Sequence, residues 1–246
     1  MRWVRFRDET GYVRIGQWAA GTISAGARTY AAEDVDVLPP GERSKIIAVG
    51  TNHKSAIQAR GVAAPEHQRL FFKPPHTIVG HRDTIVLPAD KESVTYEAEL
   101  GVVIGEQCKD VPAAEAMSVV EGFTCVNDLT NMDDKEIDPG GVRYKGFDCG
   151  AAVGPVVAPP DDVPDDARIK LFLNGEKRQD APRSELLFGI PEIIEEVTAY
   201  LTLEEHDIIA TGSPAGIGAC EPGDTVVVEV EGVGQLENTI AAAAPR

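Results

Sequence analysis

Between Tyr96 and Ile104 the side chains alternate. Ala98, Leu100, Val102 and Ile104 fall on one face of an extended segment, and Glu97 and Glu99 fall on the other. Ile46-Ile-Ala-Val49 is a continuous apolar run and reads as a buried strand. Thr84 to Leu87, Gly122 to Asp128 and Asp207 to Thr211 read as further strands. Ile169 to Gln179 reads as a hairpin, because Asn174-Gly175 accepts the positive φ angles of a type I′ turn. Thr225 to Val230 and Gln235 to Ile240 form a last hairpin. Two helices interrupt this series. Pro112 to Val120 is opened by its proline, and Ile190 to Leu201 places Ile193, Ile194, Val197, Tyr200 and Leu201 at helical spacing.

Residues 50–83 read as loop and hold four of the five histidines. Residues 1 to 38 read as short strands broken by Gly11, Gly16, Gly21 and Gly26, and Leu38-Pro-Pro-Gly41 follows as a linker. The expected division is therefore a small N-terminal β segment, 1–41, and a main domain, 42–246. Strands dominate and their order is not βαβα, so the expected class is α+β and strand-rich.

Composition narrows the functional classes. The 246 residues carry 40 Asp and Glu against 23 Lys and Arg, a net charge of −17. Such a surface repels phosphate backbones and anionic lipid, which excludes nucleic acid and membrane surfaces as expected partners. Acidity with only nine lysines suits a salt-rich cytoplasm. No run of 18 apolar residues exists, and the chain start alternates apolar and charged residues rather than forming the apolar block of a signal peptide. Cys108, Cys125, Cys149 and Cys220 are scattered without a Cys-x-x-Cys pair, as reduced thiols of a cytoplasmic protein would be.

The first chemical signal is Glu97-x-Glu99. Period two puts both carboxylates on one face of a strand, about 7 Å apart, where two like charges are unfavourable unless a cation joins them. Asp128 ends the strand Gly122 to Asp128, so the three acids converge if the two strands are neighbours. Three oxygen ligands with open positions suit Mg²⁺ or Mn²⁺, and no His or Cys stands at zinc-ligand spacing. The loop Thr211-Gly-Ser-Pro-Ala-Gly-Ile-Gly218 is neither G-x-G-x-x-G nor a P-loop, so a nucleotide is not expected there. Its glycines suit close backbone approach to a substrate. Asp133-Asp-Lys-Glu-Ile-Asp138 lacks the spacing of a calcium loop and reads as a solvated one.

Around these acids the chain carries Val49-Gly-Thr-Asn52, Phe72-Lys-Pro-Pro75, Tyr96-Glu-Ala-Glu-Leu-Gly-Val-Val-Ile-Gly105 and Gly122-Phe-Thr-Cys-Val-Asn-Asp128. Lys145-Gly-Phe-Asp148, Leu173-Asn-Gly-Glu-Lys-Arg-Gln179, Ile209 to Gly218 and Pro222-Gly-Asp224 follow in order. By these motifs the chain resembles the fumarylacetoacetate hydrolase superfamily from about Ser44 to Ile240. The resemblance implies a mixed β-sandwich roll with a small N-terminal β appendage, a homodimer, and Mg²⁺ or Mn²⁺ on Glu97, Glu99 and Asp128. It implies a substrate-facing role for Gln179 and catalytic roles for Lys145 and Lys73; Thr211, a hydroxyl at a strand end, is suited to bind a substrate carboxylate. A small 2-oxo acid is the implied substrate, held through its carboxylate and ketone oxygens.

One departure bears on the reaction. Carbon–carbon hydrolases of that family place a His, and three residues on a Glu, where this chain has Ala56 and Ala59. Neither moves a proton, which leaves His53, or Glu66 and His67 on a closing loop, as surrogates. His53-Lys-Ser-Ala-Ile-Gln-Ala-Arg-Gly61 is similar to the branch that isomerises or decarboxylates 2-hydroxyhepta-2,4-diene-1,7-dioate and related compounds. The expected reaction is thus isomerisation or decarboxylation of a 2-oxo or 2-hydroxy-dienoic acid. Acylpyruvate hydrolysis and dehydration of a 2-keto-3-deoxy sugar acid are the alternatives. Segments 50–70 and 130–143 are expected to close over substrate, the second bringing Arg143 to it.

Overall fold

The alternating segments assemble into three sheets in the computed structural model, which describes residues 1–42 and 44–244. The largest has twelve strands. At its centre Ala98–Ile104 lies antiparallel between Val120–Asp128 and Ile208–Ala210. Ile46–Gly50 runs parallel to Ile208–Ala210, and Arg69–Lys73 closes that edge. On the other side Val120–Asp128 pairs with Ala151–Ala158, which meets Trp3–Arg7 at Trp3 and Val157. The strands Val13–Ala19, Thr22–Ala25 and Arg28–Ala31 meander outward from there. Gly16, read as a break, sits inside the first of them.

A second, five-stranded sheet runs Glu176–Pro182, Arg168–Leu173, Thr225–Val230, Gly234–Ala242 and Thr84–Leu87. Its apolar face, with Leu171, Val228 and Leu236, shares one core with Leu100, Val102 and Phe123 of the large sheet. The fold is a strand-rich α+β one, a mixed β-sandwich roll. The Asn174-Gly175 turn has φ of 52° and 80°, as its type requires.

The large sheet has a second covered face. Val103, Val126, Ile46, Ala48, Ile208 and Ala210 form a separate buried cluster there. Ala98–Ile104 is therefore buried on both faces, and its alternation separates two cores rather than core from solvent. Glu99 lies on the same face as Val103, so its carboxylate is buried with the smaller cluster nearby.

Two segments differ from expectation. Ile190–Tyr200 is the amphipathic helix, with Ile193, Ile194 and Val197 buried, but Tyr200 at its end is 72% exposed. Pro112 to Val120 forms a 3₁₀ helix, Ala113–Val119. The 50–83 stretch is more ordered than its polarity suggests. It contains the helix Lys54–Arg60, the strand Arg69–Lys73 and the short strand Ile78–Val79. Only Ala56 of that helix is buried, so no apolar stripe announced it; Gly61, at φ 62°, closes it.

Candidate metal centre and its cavity

Antiparallel pairing brings the three acids together. Ala98 stands opposite Asn127, and the Asp128 backbone N–H donates to the Glu97 carbonyl at 2.9 Å. Glu97 occupies the break between Val94–Tyr96 and Ala98–Ile104, held by the Asn127 side-chain oxygen, which accepts from its N–H at 3.0 Å. One carboxylate oxygen each from Glu97, Glu99 and Asp128 lies within 4.8 Å of the others.

Two lysines meet these acids. Lys145 ends the short helix Val142–Lys145 and donates to Asp128 Oδ2 at 2.6 Å and to Glu97 Oε1 at 3.1 Å. Burial works against its charge, but Asp128 and Glu97 outweigh that and hold its pKa above the usual lysine value. Its ammonium also lies 4.8 Å from the Phe71 ring centre. Lys73 is fully buried, 2.6 Å from Asp128 Oδ1, and donates to the carbonyls of Leu129 and Gly150 at 2.7 and 2.6 Å. Burial pushes it down to about 8, against the pull of Asp128. Its contacts fix Asp128 from behind.

The carboxylates respond differently. Burial raises Asp128, yet Lys145 and Lys73 together hold it below the ordinary range. Burial, with the charges of Asp128 and Glu97 beside it, pushes Glu99 well up, and the Gly212 N–H at 2.7 Å only partly offsets this. Three acids against two ammonium groups leave net negative charge in a buried place. Hard oxygen donors at this spacing, with no His or Cys among them, fit Mg²⁺ or Mn²⁺.

The acids form the floor of a cavity of about 200 Å³. Lys145, Thr130 and Ser213 stand beside them, and Phe71, Ala56 and Thr51 form apolar and backbone wall. Arg60, Arg69, Lys135 and Tyr144 also line the cavity and were not singled out in the sequence. Thr51 has φ of 59°, an unusual conformation for a β-branched residue. Its neighbour Asn52 enforces it by bonding Phe188 N and O and the Thr211 carbonyl at 2.8, 3.1 and 2.8 Å.

Several other candidates lie outside the cavity. Thr211 donates its hydroxyl to the Leu100 carbonyl at 3.0 Å. Gln179 accepts from Ala98 N–H and donates to Ser213 Oγ and the Pro214 carbonyl, so it orients Ser213 from within the core. Two glycines of the 211–218 loop are required by the protein's own packing: a Cβ on Gly212 would meet Asn52 at 2.8 Å, and one on Gly216 the Arg178 carbonyl at 2.1 Å. Arg143 is exposed and does not line the cavity. His53 is fully buried with its Nδ1 2.9 Å from Ser55 Oγ, and burial pushes it down to about 4. His67 is exposed and outside the lining, so no histidine among the described residues faces the cavity. The acidic run 133–138 is tied down, Asp134 by Lys91 and Asp133 by the N–H groups of Glu92 and Ser93.

Comparison with known proteins agrees with this geometry. Residues 45–241 match the fumarylacetoacetate (FAA) hydrolase C-terminal family. An uncharacterized protein of Archaeoglobus fulgidus is 42% identical over 83% of this chain and 82% of its own length. A 4-hydroxyphenylacetate degradation bifunctional isomerase/decarboxylase of Escherichia coli is 38% identical over 82% of the chain, which spans 48% of that enzyme. The crystal structure of a 5-carboxymethyl-2-hydroxymuconate delta-isomerase from Mycobacterium smegmatis superposes with a TM-score of 0.92, at 36% identity and full coverage of both chains. A maleylpyruvate hydrolase from Sphingobium, solved with manganese(II) and pyruvate, superposes at 0.85 with 27% identity, covering 99% of this chain and all of that one.

Proposed function

The chain is an enzyme of the fumarylacetoacetate hydrolase family, and on that premise we propose that it isomerises or decarboxylates a small 2-oxo or 2-hydroxy-dienoic acid with the help of Mg²⁺ or Mn²⁺. Glu97, Glu99 and Asp128 hold the ion, which when bound supplies Lewis acidity to a substrate carboxylate and ketone oxygen. The manganese and pyruvate seen in the Sphingobium hydrolase support both the ion and the 2-oxo acid head.

The protein's own groups then have distinct tasks. Lys73 and the strand ladder fix Asp128, so the floor does not reorganise during reaction. Lys145 Nζ stays protonated between Asp128 and Glu97 and offers a fixed positive charge where an enolate oxygen develops. Ser213, whose hydroxyl accepts from Gln179, and Tyr144 both line the cavity and carry hydroxyl groups, a chemistry suited to passing a proton between substrate atoms. Phe71 and Ala56 keep part of the wall apolar and limit water.

The single observation that carries isomerisation over hydrolysis is Ala56 in the cavity wall, with no histidine and no carboxylate outside the triad on that lining. Activation of water lacks a base there, whereas ketonisation of a 2-hydroxy-diene moves the enol's own proton to carbon, which a hydroxyl can relay by taking one proton and giving another, and decarboxylation abstracts no proton. Cytoplasmic location and a homodimer belong to the same reading; no described helix is long and apolar enough to cross a membrane.

The test is a screen of purified protein with Mn²⁺ or Mg²⁺ against oxaloacetate, acylpyruvates and 2-hydroxy-dienedioates. Metal-dependent ketonisation or carbon dioxide release, with acylpyruvate hydrolysis slower by the about 10²- to 10⁴-fold that a general base provides, is the expected result. Efficient acylpyruvate cleavage would overturn it in favour of a hydrolase.

A further inference from the structure

The acids of the floor do not offer all their oxygens to an ion. Glu97 Oε1 accepts from the Thr130 hydroxyl and, at 3.1 Å, from Lys145 Nζ. Glu99 Oε2 accepts from the Gly212 N–H at 2.7 Å. Asp128 has a lysine ammonium 2.6 Å from each of its oxygens. Glu97 and Glu99 are therefore held at one oxygen and open at the other, and none of the three acids can chelate through both oxygens without giving up a protein donor. This bears on which ion fits. Ca²⁺ takes six to eight oxygens at about 2.3–2.6 Å and accepts a carboxylate by both its oxygens, whereas Mg²⁺ demands a near-octahedral set at about 2.0–2.1 Å.

Among these donors Thr130 has the most specific task. The donor to Glu99 is backbone, and Lys145 lies closer to Asp128, at 2.6 Å, than to Glu97. Glu97 is also the acid least fixed by its own strand. It occupies a break between strands and is half-buried, while Glu99 and Asp128 are buried within theirs. Its carboxylate needs an outside hold.

Strand register supplies one. Thr130 stands opposite Thr95 where Thr130–Asn131 pairs with Val94–Tyr96, and Glu97 follows two residues after Thr95, within diagonal reach on the same side. The pairing fixes the Thr130 backbone, and Thr95 Oγ1 adds a bond to its carbonyl at 3.4 Å. Thr130 is buried on the cavity lining, and its hydroxyl donates to no other acceptor among the described residues. Without that hydroxyl Glu97 Oε1 keeps only the longer bond to Lys145, so the carboxylate is free to turn and present both oxygens. The extra ligand suits Ca²⁺ and crowds Mg²⁺.

We infer that Thr130 is a positioning residue that keeps Glu97 a one-oxygen ligand and so sets the preference of the floor for Mg²⁺ over Ca²⁺. The inference rests on the reading of the floor as a metal site, and the two fail separately.

The experiment is a competition on the metal-free full chain. Mn²⁺ is bound first, its free ion is followed by electron paramagnetic resonance, and Mg²⁺ and Ca²⁺ are titrated in as separate displacers. The readout is the dissociation constant of Ca²⁺ divided by that of Mg²⁺, a quantity that general weakening of the floor leaves unmoved. Wild type binds Mg²⁺ more tightly. Thr130→Val keeps the branched shape without the donor and lowers the ratio by at least about tenfold, within the about 10- to 100-fold by which such outer partners act on metal affinity. Thr130→Ala lowers it likewise, so the effect follows the hydroxyl and not the methyl group. Thr130→Ser restores it to within about threefold of wild type, since the donor is kept. A ratio unchanged in the valine and alanine variants, even where both ions bind more weakly, overturns the inference and leaves the floor standing. A serine variant shifted as far as the valine one, or a wild type that prefers Ca²⁺, also overturns it. Failure of Mn²⁺ to bind wild type overturns the floor and the inference together.

Discussion

The floor and the rim of the cavity are built on opposite plans. The floor hangs on central strands. Glu99 and Asp128 are buried, their positions set by ladder bonds, and Lys73 behind them has no exposure at all. The rim is carried by a seven-residue helix, an edge strand and a surface segment, and its arginines are exposed and make no ion pair among the described residues. The floor is thus fixed at folding, its charges answered by two lysines of the protein in all but one unit. The rim stays free to be answered by a ligand. A site divided this way can keep one metal-assisted chemistry while substrate choice is varied at little cost to stability.

The largest expected effect breaks the floor. Asp128→Asn lowers metal-dependent turnover by about 10³-fold, equivalent to the several kcal/mol that a Lewis-acidic ion contributes. Steady-state rates at saturating Mn²⁺ measure it, and a circular dichroism spectrum shows that the fold persists. Turnover within tenfold of wild type would remove the metal from the account.

Next comes stability. Lys73→Met leaves Asp128 with one cation and the Leu129 and Gly150 carbonyls without their donor. Breaking such a buried pair costs about 3–5 kcal/mol. Arg69→Met, on the rim, changes stability by no more than about 0.5 kcal/mol, as exposed positions do. Urea unfolding of the two variants side by side sharpens the contrast; equal losses would erase it.

A smaller effect separates structural from catalytic histidine. His53 is held neutral by burial, its pKa down to about 4 in the fold against 6.5 unfolded. The unfolded chain then binds more protons between those values, so stability falls as pH drops from about 6.5 towards 4, by an order of 2–3 kcal/mol. Burial brings His81 down to about 4 as well, and it adds to the same slope. His53→Gln flattens the profile in unfolding experiments over that range. An unchanged slope, with turnover lost at neutral pH, would return His53 to the catalytic machinery.

The same division explains what could be read from residues alone. Glu97 and Glu99 were legible because strand period two is strict, and Asp128 because it ends the neighbouring strand. The amphipathic helix and the Asn174-Gly175 turn were legible for similar local reasons. Arg60 and Arg69 were not, since their segment buries little and so carries no apolar period. Gln179 and Thr211 illustrate another limit. A polar side chain near a site is equally suited to bonding the protein, and here the Ala98 N–H and the Leu100 carbonyl engage them first. Which partner wins depends on side-chain direction within the folded sheet, which the order of residues does not encode.

The central claim is that three carboxylates on two neighbouring strands share one divalent ion. Crystals grown with Mn²⁺ and measured at the manganese absorption edge test it most directly. The account predicts one strong anomalous peak per chain, bonded to an oxygen of each of Glu97, Glu99 and Asp128, and no peak there in Asp128→Asn crystals. A map with no peak among these three residues, under conditions where Mn²⁺ supports turnover, would contradict it.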